Sequence, residues 1–252
     1  MPPVRERVAP PGSDGDDRAR AHRGFPTGVG RHLGRRRVDG ARPAPRASGI
    51  LGRTMRTAHP TFGPTTALLV VDVQNDFADP AGRLYVAGGE SVVDVVDGLV
   101  PTARAAGSPV VYTQDWHPPE TPHFATSGGP WPVHCVAGTW GAQLHPRLEV
   151  AGPVVRKGAG AQDGYSGFTA RDVETGEERD TGLRRLLSEL GVTRVVVVGL
   201  ALDVCVKETA LDARRLGYQT VVVVAATRPV DLAPGDGARA LEELRGHGVE
   251  TC

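Results

Sequence analysis

Residues 194–206 read RVVVVGLALDVCV. Consecutive valines are typical of a strand that is buried on both faces, as in a parallel sheet covered by helices. The glycine after the run ends it, and helical spacing extends from Val204 to Leu216. A buried strand that leads directly into a helix is the repeating unit of open α/β folds. This stretch therefore predicts a parallel sheet at the centre of the molecule.

Short β-branched runs alternate with amphipathic segments on both sides of this stretch. Strands are predicted at Ala67–Val73, Pro109–Thr113, Pro153–Arg156, Arg194–Gly199 and Thr220–Ala225, and helices at Ser91–Ala106, Thr181–Leu190, Val204–Leu216 and Gly237–Arg245. Each helix ends near a glycine. A last strand from Gly248, or an irregular tail, follows. The predicted fold class is α/β: a three-layer α/β/α sandwich with a mainly parallel, Rossmann-like sheet.

The N-terminal part of the chain differs in composition from the rest. Residues 1–54 carry twelve arginines against five acidic residues, with no sustained hydrophobic period. Such a segment buries too little apolar surface to offset chain entropy. We predict a disordered extension over residues 1–54 and one α/β domain over residues 55–252. A basic arm for nucleic acid is an alternative, although interleaved aromatic residues are missing; a natural start at Met55 is another.

The bulk composition argues against several classes of protein. The formal net charge is zero, which gives no reason to expect nucleic acid or an anionic membrane as a partner. No apolar run approaches the roughly 18–20 residues of a membrane-spanning helix. Three scattered cysteines are an odd number and fit a reducing compartment. We predict a cytoplasmic protein; a homo-oligomer stays open.

Polar side chains stand at the ends of the predicted strands. Asp72, Asp115 and Lys157 end or follow the first three strands, and Cys205 lies in the turn after the fourth, where a helix start favours a thiolate. Carboxyl ends of parallel strands form the rim where such sheets bind ligands. Singly, these residues are explained as a cap, a solvated charge or a small buried side chain. Together, Asp72, Lys157 and Cys205 supply the acid, cation and thiol of a cysteine nucleophile.

The segment TQDWHPPETPHFATSGGPWPVHC, residues 113–135, collects ligand-type side chains. They are Asp115, His117, His123 and His134. One carboxylate with two or three imidazoles suits one divalent ion, Zn²⁺, Fe²⁺ or Mn²⁺. For any single histidine, a surface or capping role is the ordinary explanation. The nearby His145 and Cys135 rank below these four as ligands.

Aromatic residues are few, so their positions are informative. Phe77, Trp131 and Tyr165 each lie in a loop beside one of the polar motifs. Singly they are explained by packing. Together they would form a flat slot for an aromatic ring.

The motifs resemble those of nicotinamidases in the isochorismatase-like hydrolase superfamily. DVQNDF, TQDWHP, WPVHC, RKG, YSGF and GLALDVC occur in the order of that family, and the resemblance extends from about Ala67 to Val249. DVQNDF and the cysteine turn are typical of the superfamily. The DxH pair with WPxHC points more narrowly to nicotinamidases.

The resemblance implies a catalytic triad of Asp72, Lys157 and Cys205. Asp72 would take the thiol proton and deliver it to departing ammonia, Lys157 would stabilise charge, and Cys205 would form a thioester with the carboxamide carbon. A cis peptide at Leu200–Ala201 would direct the N–H groups of Ala201 and Cys205 at the oxyanion.

The resemblance also implies how the ring of a substrate is held. A metal at Asp115, His117, His123 and His134 would hold the pyridine nitrogen of nicotinamide, and Phe77, Trp131 and Tyr165 would line the ring slot. Pyrazinamide-like analogues would fit the same slot. The implied role is nicotinamide hydrolysis to nicotinate and ammonia in NAD salvage.

Some positions depart from the family pattern, and other functions compete. Val204 stands where some relatives have a polar side chain, the segment before Tyr165 varies in length, and not every relative uses the position of His123 as a ligand. Another amidohydrolase of the superfamily, such as an N-carbamoyl amidase, is the nearest alternative. Vinyl ether hydrolases lack the cysteine. A non-catalytic module that binds a metal or small ligand is the alternative from another class.

Overall fold

The computed structural model describes residues 60–252. Its strands are β1 (Thr66–Val71), β2 (Val110–Asp115), β3 (Val154–Lys157), β4 (Thr169–Arg171), β5 (Glu178–Asp180), β6 (Arg194–Leu200), β7 (Gln219–Arg228) and β8 (Glu250–Thr251). Six of them form one sheet in the order β3-β2-β1-β6-β7-β8. Every neighbouring pair in this sheet is parallel. The predicted extension over residues 1–54 lies outside the described residues, as do residues 55–59.

The α-helices of the described residues are α1 (Asn75–Ala78), α2 (Gly89–Ala105), α3 (Leu183–Glu189), α4 (Lys207–Arg215) and α5 (Asp236–Gly246). A 3₁₀ turn covers Ala125–Ser127, and a π-helical turn covers Leu202–Val206. No helix in residues 60–252 is long and apolar enough to cross a membrane.

Side chains of β1 alternate between the two faces of the sheet. Leu68 and Val70 pack with the valines of α2 on one face. Leu69 and Val71 pack on the other face, with buried residues of α3, α4 and α5. Each such side chain contributes about 1.5–3 kcal/mol when it is fully buried. Burial on both faces explains the continuous apolar run, and the predicted three-layer sandwich is confirmed.

The predicted strands are all present, with shifted ends. β2 and β3 extend to Asp115 and Lys157, so these two residues end their strands instead of following them. They lie opposite each other in the parallel register. The predicted strands stopped too early because hydrophobic periodicity does not mark a polar residue as the last residue of a strand.

The turn after β6 is wider than the predicted α-helical start at Val204. The N–H of Val206 donates to the carbonyl of Ala201 at 3.0 Å, which is the i to i+5 spacing of a π-helix. Cys205 therefore lies in a π-helical turn, ahead of α4. Gly199 permits the preceding chain path, because a Cβ there would lie 2.0 Å from the carbonyl oxygen of Val71.

The antiparallel pair β4–β5 is an element that the sequence analysis missed. Its second strand, Glu178–Asp180, is entirely exposed and charged. Without alternating apolar residues, the sequence carries no strand signal there.

Candidate active site

The predicted acid, lysine and thiol meet at the carboxyl edge of the sheet. Nζ of Lys157 lies 2.7 Å from Oδ2 of Asp72 and 3.8 Å from Sγ of Cys205. It also contacts Oδ1 of Asp115 and the carbonyl oxygen of Gly164. The four side chains are buried. One ammonium therefore joins two carboxylates and the thiol.

Asp72 follows β1 and is completely buried. The hydroxyl of Thr113 donates a hydrogen bond of 2.7 Å to its Oδ1. Burial raises the pKa of Asp72 to about 6, although the nearby Lys157 acts in the opposite direction. A carboxyl group with a pKa close to neutrality accepts and returns protons readily, which suits general acid–base chemistry.

Burial also controls the ionisation of the thiol. It raises the pKa of Cys205 well above its usual value, against the opposing effect of Lys157. For Lys157, burial opposes the charge, but Asp115 and Asp72 outweigh it and hold the pKa of the lysine well above its usual value. Burial has the largest effect on the thiol pKa, and the carboxylates of Asp72 and Asp115 act in the same direction, so the site favours the protonated thiol over the expected thiolate. Removal of the thiol proton requires a base, and the neighbouring carboxyl group of Asp72 can serve as that base.

Three of the four predicted metal ligands converge. Nitrogen atoms of His117, His123 and His134 lie within 4.8 Å of one another, and all three residues are buried. Burial lowers the pKa of His123 to about 3 and also lowers the pKa of His134. Neutral imidazoles are the form that binds metals.

Hydrogen bonds orient two of these rings for a metal. Nδ1 of His117 donates to the carbonyl of Gly158 at 3.0 Å, and Nδ1 of His134 donates to the carbonyl of Pro132 at 2.7 Å. The proton on Nδ1 leaves Nε2 with a free lone pair, as in metal-binding histidines. Nε2 of His117 is buried and has no hydrogen-bond partner among the described residues. The imidazoles therefore fit a divalent ion.

Asp115 lies between the ammonium group of Lys157 and the imidazoles of the predicted metal site. Its Oδ1 contacts the ammonium of Lys157, and its Oδ2 lies 3.7 Å from Nε2 of His117. Burial opposes its ionisation, but Lys157 and His117 outweigh burial and lower the pKa of Asp115. The carboxylate is thus ionised and has one oxygen directed at the imidazoles. Its role as a ligand stays a prediction.

The lower-ranked candidates, His145 and Cys135, do not direct a ligand atom at the three imidazoles. Nδ1 of His145 accepts the N–H of Arg147 at 3.3 Å. The thiol of Cys135 is buried, with Sγ 3.9 Å from the carbonyl of Gly141. Neither belongs to the described group of converging ligand atoms.

One cavity is lined by the thiol of Cys205 and by two of the imidazoles, those of His123 and His134. All three predicted aromatic residues line it, and Nε1 of Trp131 donates a hydrogen bond of 2.9 Å to the hydroxyl of Tyr165. The sequence analysis did not select the other lining side chains as site residues: Leu84, Val86, Asp163, Val204 and Val230. Apolar loop residues have no signal of their own in a sequence, apart from their closeness to a motif.

The turn before the thiol has the predicted backbone form. The peptide Leu200–Ala201 is cis. Ala201 and Cys205 both line the cavity. Binding of an oxyanion by the N–H groups of these two residues stays a prediction.

Two further residues hold the site together and were not selected from the sequence. Nε2 of Gln74 donates to the carbonyl oxygens of Asp115 and Ala142 at 2.8 and 2.9 Å. Gly158 has a left-handed backbone, and a Cβ there would lie 2.4 Å from Cε1 of His117. Both residues belong to motifs of the resemblance, DVQNDF and RKG, so the motifs carried a signal for them.

A thiol, an acid and a lysine at the rim of a parallel α/β sheet are the groups that a cysteine hydrolase requires. The Isochorismatase domain matches residues 66–252, so the chain belongs to this family. Its relatives include the nicotinamidase of Escherichia coli (strain K12), which is 37% identical over 204 residues, or 74% of this chain and 93% of the relative. The resemblance to nicotinamidases is therefore confirmed.

Solved structures agree with these relationships. PnC1 from L. infantum in complex with nicotinate has a TM-score of 0.69 and 38% identity, covering 77% of this chain and 95% of that chain. The pyrazinamidase of Pyrococcus horikoshii in complex with zinc has a TM-score of 0.66 and 35% identity, covering 75% of this chain and 99% of that chain. The fold prediction is confirmed by both.

Proposed function

We propose that the protein hydrolyses nicotinamide to nicotinate and ammonia through a thioester on Cys205. The observation that carries the proposal is the contact of one buried ammonium, that of Lys157, with both Asp72 and Cys205. The similarity to nicotinamidases supports the substrate. The proposed physiological role is the salvage of nicotinamide for NAD synthesis. Three free thiols are consistent with a reducing compartment, the cytoplasm.

In the proposed mechanism, Asp72 removes the proton of the thiol as Sγ attacks the carboxamide carbon. The N–H groups of Ala201 and Cys205 stabilise the oxyanion. Asp72 then returns the proton to the departing nitrogen, and ammonia leaves. Asp72 next takes a proton from water as the water attacks the thioester, and it returns that proton to the sulfur of Cys205 as nicotinate is released. The pKa of about 6 at Asp72 supports both directions of proton transfer.

The proposed metal ligands are His117, His123 and His134, with Asp115 as the fourth. The unpartnered Nε2 of His117 supports this assignment. A divalent ion held there would act as a Lewis acid towards the pyridine nitrogen of the substrate. The protein itself orients the imidazoles through the carbonyls of Gly158 and Pro132.

The cavity lining supports a neutral aromatic substrate. Among the described lining residues there is no arginine or lysine, and Asp115 and Asp163 are acidic. A substrate with a carboxylate, such as an N-carbamoyl amino acid, would lack a cationic side chain there to pair with. A flat, uncharged ring fits beside the aromatic side chains of Phe77, Trp131 and Tyr165.

The experiment is a measurement of ammonia release from nicotinamide by the full chain. We expect turnover by the native protein, none by Cys205→Ala, and loss on chelation that added divalent metal reverses. Pyrazinamide is expected to be a second substrate. Cys252→Ala is the matched control, because this free thiol does not line the cavity, and it should retain activity.

Full activity in Cys205→Ala would contradict the thioester mechanism. Turnover of N-carbamoyl amino acids but not of nicotinamide would retain the mechanism and replace the substrate.

A further inference from the structure

The second acid of the DVQNDF motif, Asp76, has no part in the proposed chemistry, yet it is only 2% exposed. It lies in the first turn of α1. Within the described residues it forms no salt bridge. A buried carboxylate without a cation must be stabilised by hydrogen bonds, so its partners identify what it holds.

Two backbone N–H groups from different loops supply those hydrogen bonds. Oδ2 of Asp76 accepts the N–H of Cys135 at 2.7 Å, and Oδ1 accepts the N–H of Arg83 at 3.0 Å. The N–H of Asp76 donates to the carbonyl of Gly141 at 3.0 Å. The carboxylate therefore ties the segment after α1 to the loop that carries the proposed metal ligands.

The first of these bonds acts directly on a proposed ligand. The N–H of Cys135 belongs to the peptide that joins it to His134, and Cys135 has a left-handed backbone with φ of 44°. This conformation is unfavourable for a residue with a side chain, so the surroundings must hold it. The bond from Asp76 holds the peptide that directs the imidazole of His134.

The same turn also reaches a second proposed ligand. The carbonyl of Cys135 accepts the N–H of His117 at 3.0 Å, and the carbonyl of His117 accepts the N–H of Ala137 at 2.8 Å. The backbone of His117 is thus paired to the turn that Asp76 anchors. Displacement of this turn would move two imidazoles together.

Close packing leaves the carboxylate little freedom. A Cβ at Gly141 would lie 2.1 Å from Oδ2 of Asp76. Any side chain at position 141 would therefore push the carboxylate away from the N–H of Cys135. Glycine at this position is required by the carboxylate, not by a left-handed backbone.

We propose that Asp76 is a positioning residue of the metal site, which holds the turn at Cys135 so that His134 and His117 face the same ion. The inference rests on the proposed metal site, and it assigns a role that is separate from the chemistry at Cys205. Asparagine at position 76 keeps the shape of the side chain but replaces one acceptor oxygen with an amide donor. One of the two backbone N–H groups then loses its partner.

The test is the affinity of the full chain for Zn²⁺, measured by competition with a chromophoric chelator. Loss of a partner outside the ligand shell lowers metal affinity by about 10–100-fold, and we expect a decrease in this range for Asp76→Asn. Gly141→Ala should produce a similar decrease with Asp76 intact. Saturating Zn²⁺ should restore kcat in both variants.

The matched control is Asp203→Asn. Asp203 also accepts two backbone N–H groups, from Val230 and Asp231, at 2.8 and 2.9 Å, but it holds the loop after β7. Its substitution should leave the affinity for Zn²⁺ unchanged. The alkylation rate of Cys205, followed by peptide mass spectrometry, reports whether the rest of the site is intact.

Five outcomes decide the inference. Weaker Zn²⁺ binding in Asp76→Asn or Gly141→Ala, with Cys205 alkylation unchanged, would support it. Native affinity in both variants would overturn it. An equal decrease in Asp203→Asn, or a parallel loss of Cys205 alkylation, would also overturn it, because Asp76 would then serve general stability. Failure of the native chain to bind Zn²⁺, Fe²⁺ and Mn²⁺ would instead refute the proposed metal site, and this inference with it.

Discussion

The two halves of the candidate site are held in place by different means. The strand-end half, Asp72, Lys157 and Cys205, stands at or just after β1, β3 and β6 of one parallel sheet. The loop half, His117, His123 and His134, lies in a segment whose only regular element is a 3₁₀ turn. In the first half, backbone ladders position Asp72 and Lys157, and the π-helical turn after β6 positions Cys205. The second depends on single hydrogen bonds from side chains and carbonyls.

This difference teaches where each half is sensitive to change. In the strand-end half, register sets the geometry: Lys157 pairs with Asp115, and Val71 pairs with Gly199. In the loop half, a lost hydrogen bond moves a ligand without disturbing the sheet. Substitutions should therefore separate catalysis at the thiol from metal binding.

The largest effect is expected from the strand-end half. Asp72→Asn removes the proposed base beside a protonated thiol, and kcat should fall by about 10²–10⁴-fold, the usual contribution of general acid–base catalysis. Steady-state hydrolysis of nicotinamide measures the decrease. Zn²⁺ affinity, titrated in parallel, should stay at the native value. A loss of metal together with activity would mean that the two halves are not independent.

The corresponding change in the loop half is His117→Ala. A partner outside the ligand shell already accounts for about 10–100-fold in metal affinity, so removal of a ligand should cost more than about 100-fold. Chelator competition measures this loss. The alkylation rate of Cys205 should match that of the native chain, because Lys157 and Asp72 are untouched. Slower alkylation would show that the loop half also sets the reactivity of the thiol.

The pH dependence of activity should arise from the strand-end half of the site. The base must be ionised to accept the thiol proton, and burial raises the pKa of Asp72 to about 6. Activity is therefore expected at pH values above 6, and kcat/KM should fall about tenfold per pH unit below it. Initial rates between pH 4.5 and 8, with bound metal measured at each pH, test this. A decrease that follows metal release would assign the dependence to the loop half.

The smallest effect is expected from shortening the chain. Both halves of the site lie between residues 72 and 205, inside the predicted domain over residues 55–252. A chain that starts at Met55 should retain the native kcat/KM and thermal unfolding midpoint. Differential scanning calorimetry and the ammonia assay measure both. Loss of folding in the shortened chain would contradict the predicted role of residues 1–54 as a disordered extension.

Most of the fold was predictable because its signal is local. The valine run before Gly199 marks a doubly buried strand, whatever its neighbours are. The motifs also selected the residues that meet at the rim, including Asp72 and Lys157. The pair β4–β5 escaped prediction, because its exposed, charged strand carries no hydrophobic period.

The supporting contacts were less predictable. Asp76 and Gly141 are 65 positions apart in the chain, and nothing in either residue type indicates that one packs on the other. The width of the turn at Cys205 was likewise not predictable, since a π-helical turn differs from an α-helical start only in which carbonyl each N–H selects.

By itself, the sequence determined the order of strands and helices and the residue types available for chemistry, because hydrophobic periodicity and residue identity are properties of short segments. Only the tertiary structure decided the partners of those residues. It directed Oδ1 of Asp115 to Lys157 and Oδ2 towards His117, and it buried the thiol of Cys205, which raises the pKa of that thiol. These outcomes depend on burial and on distances between residues far apart in the chain, which strand register and loop packing set.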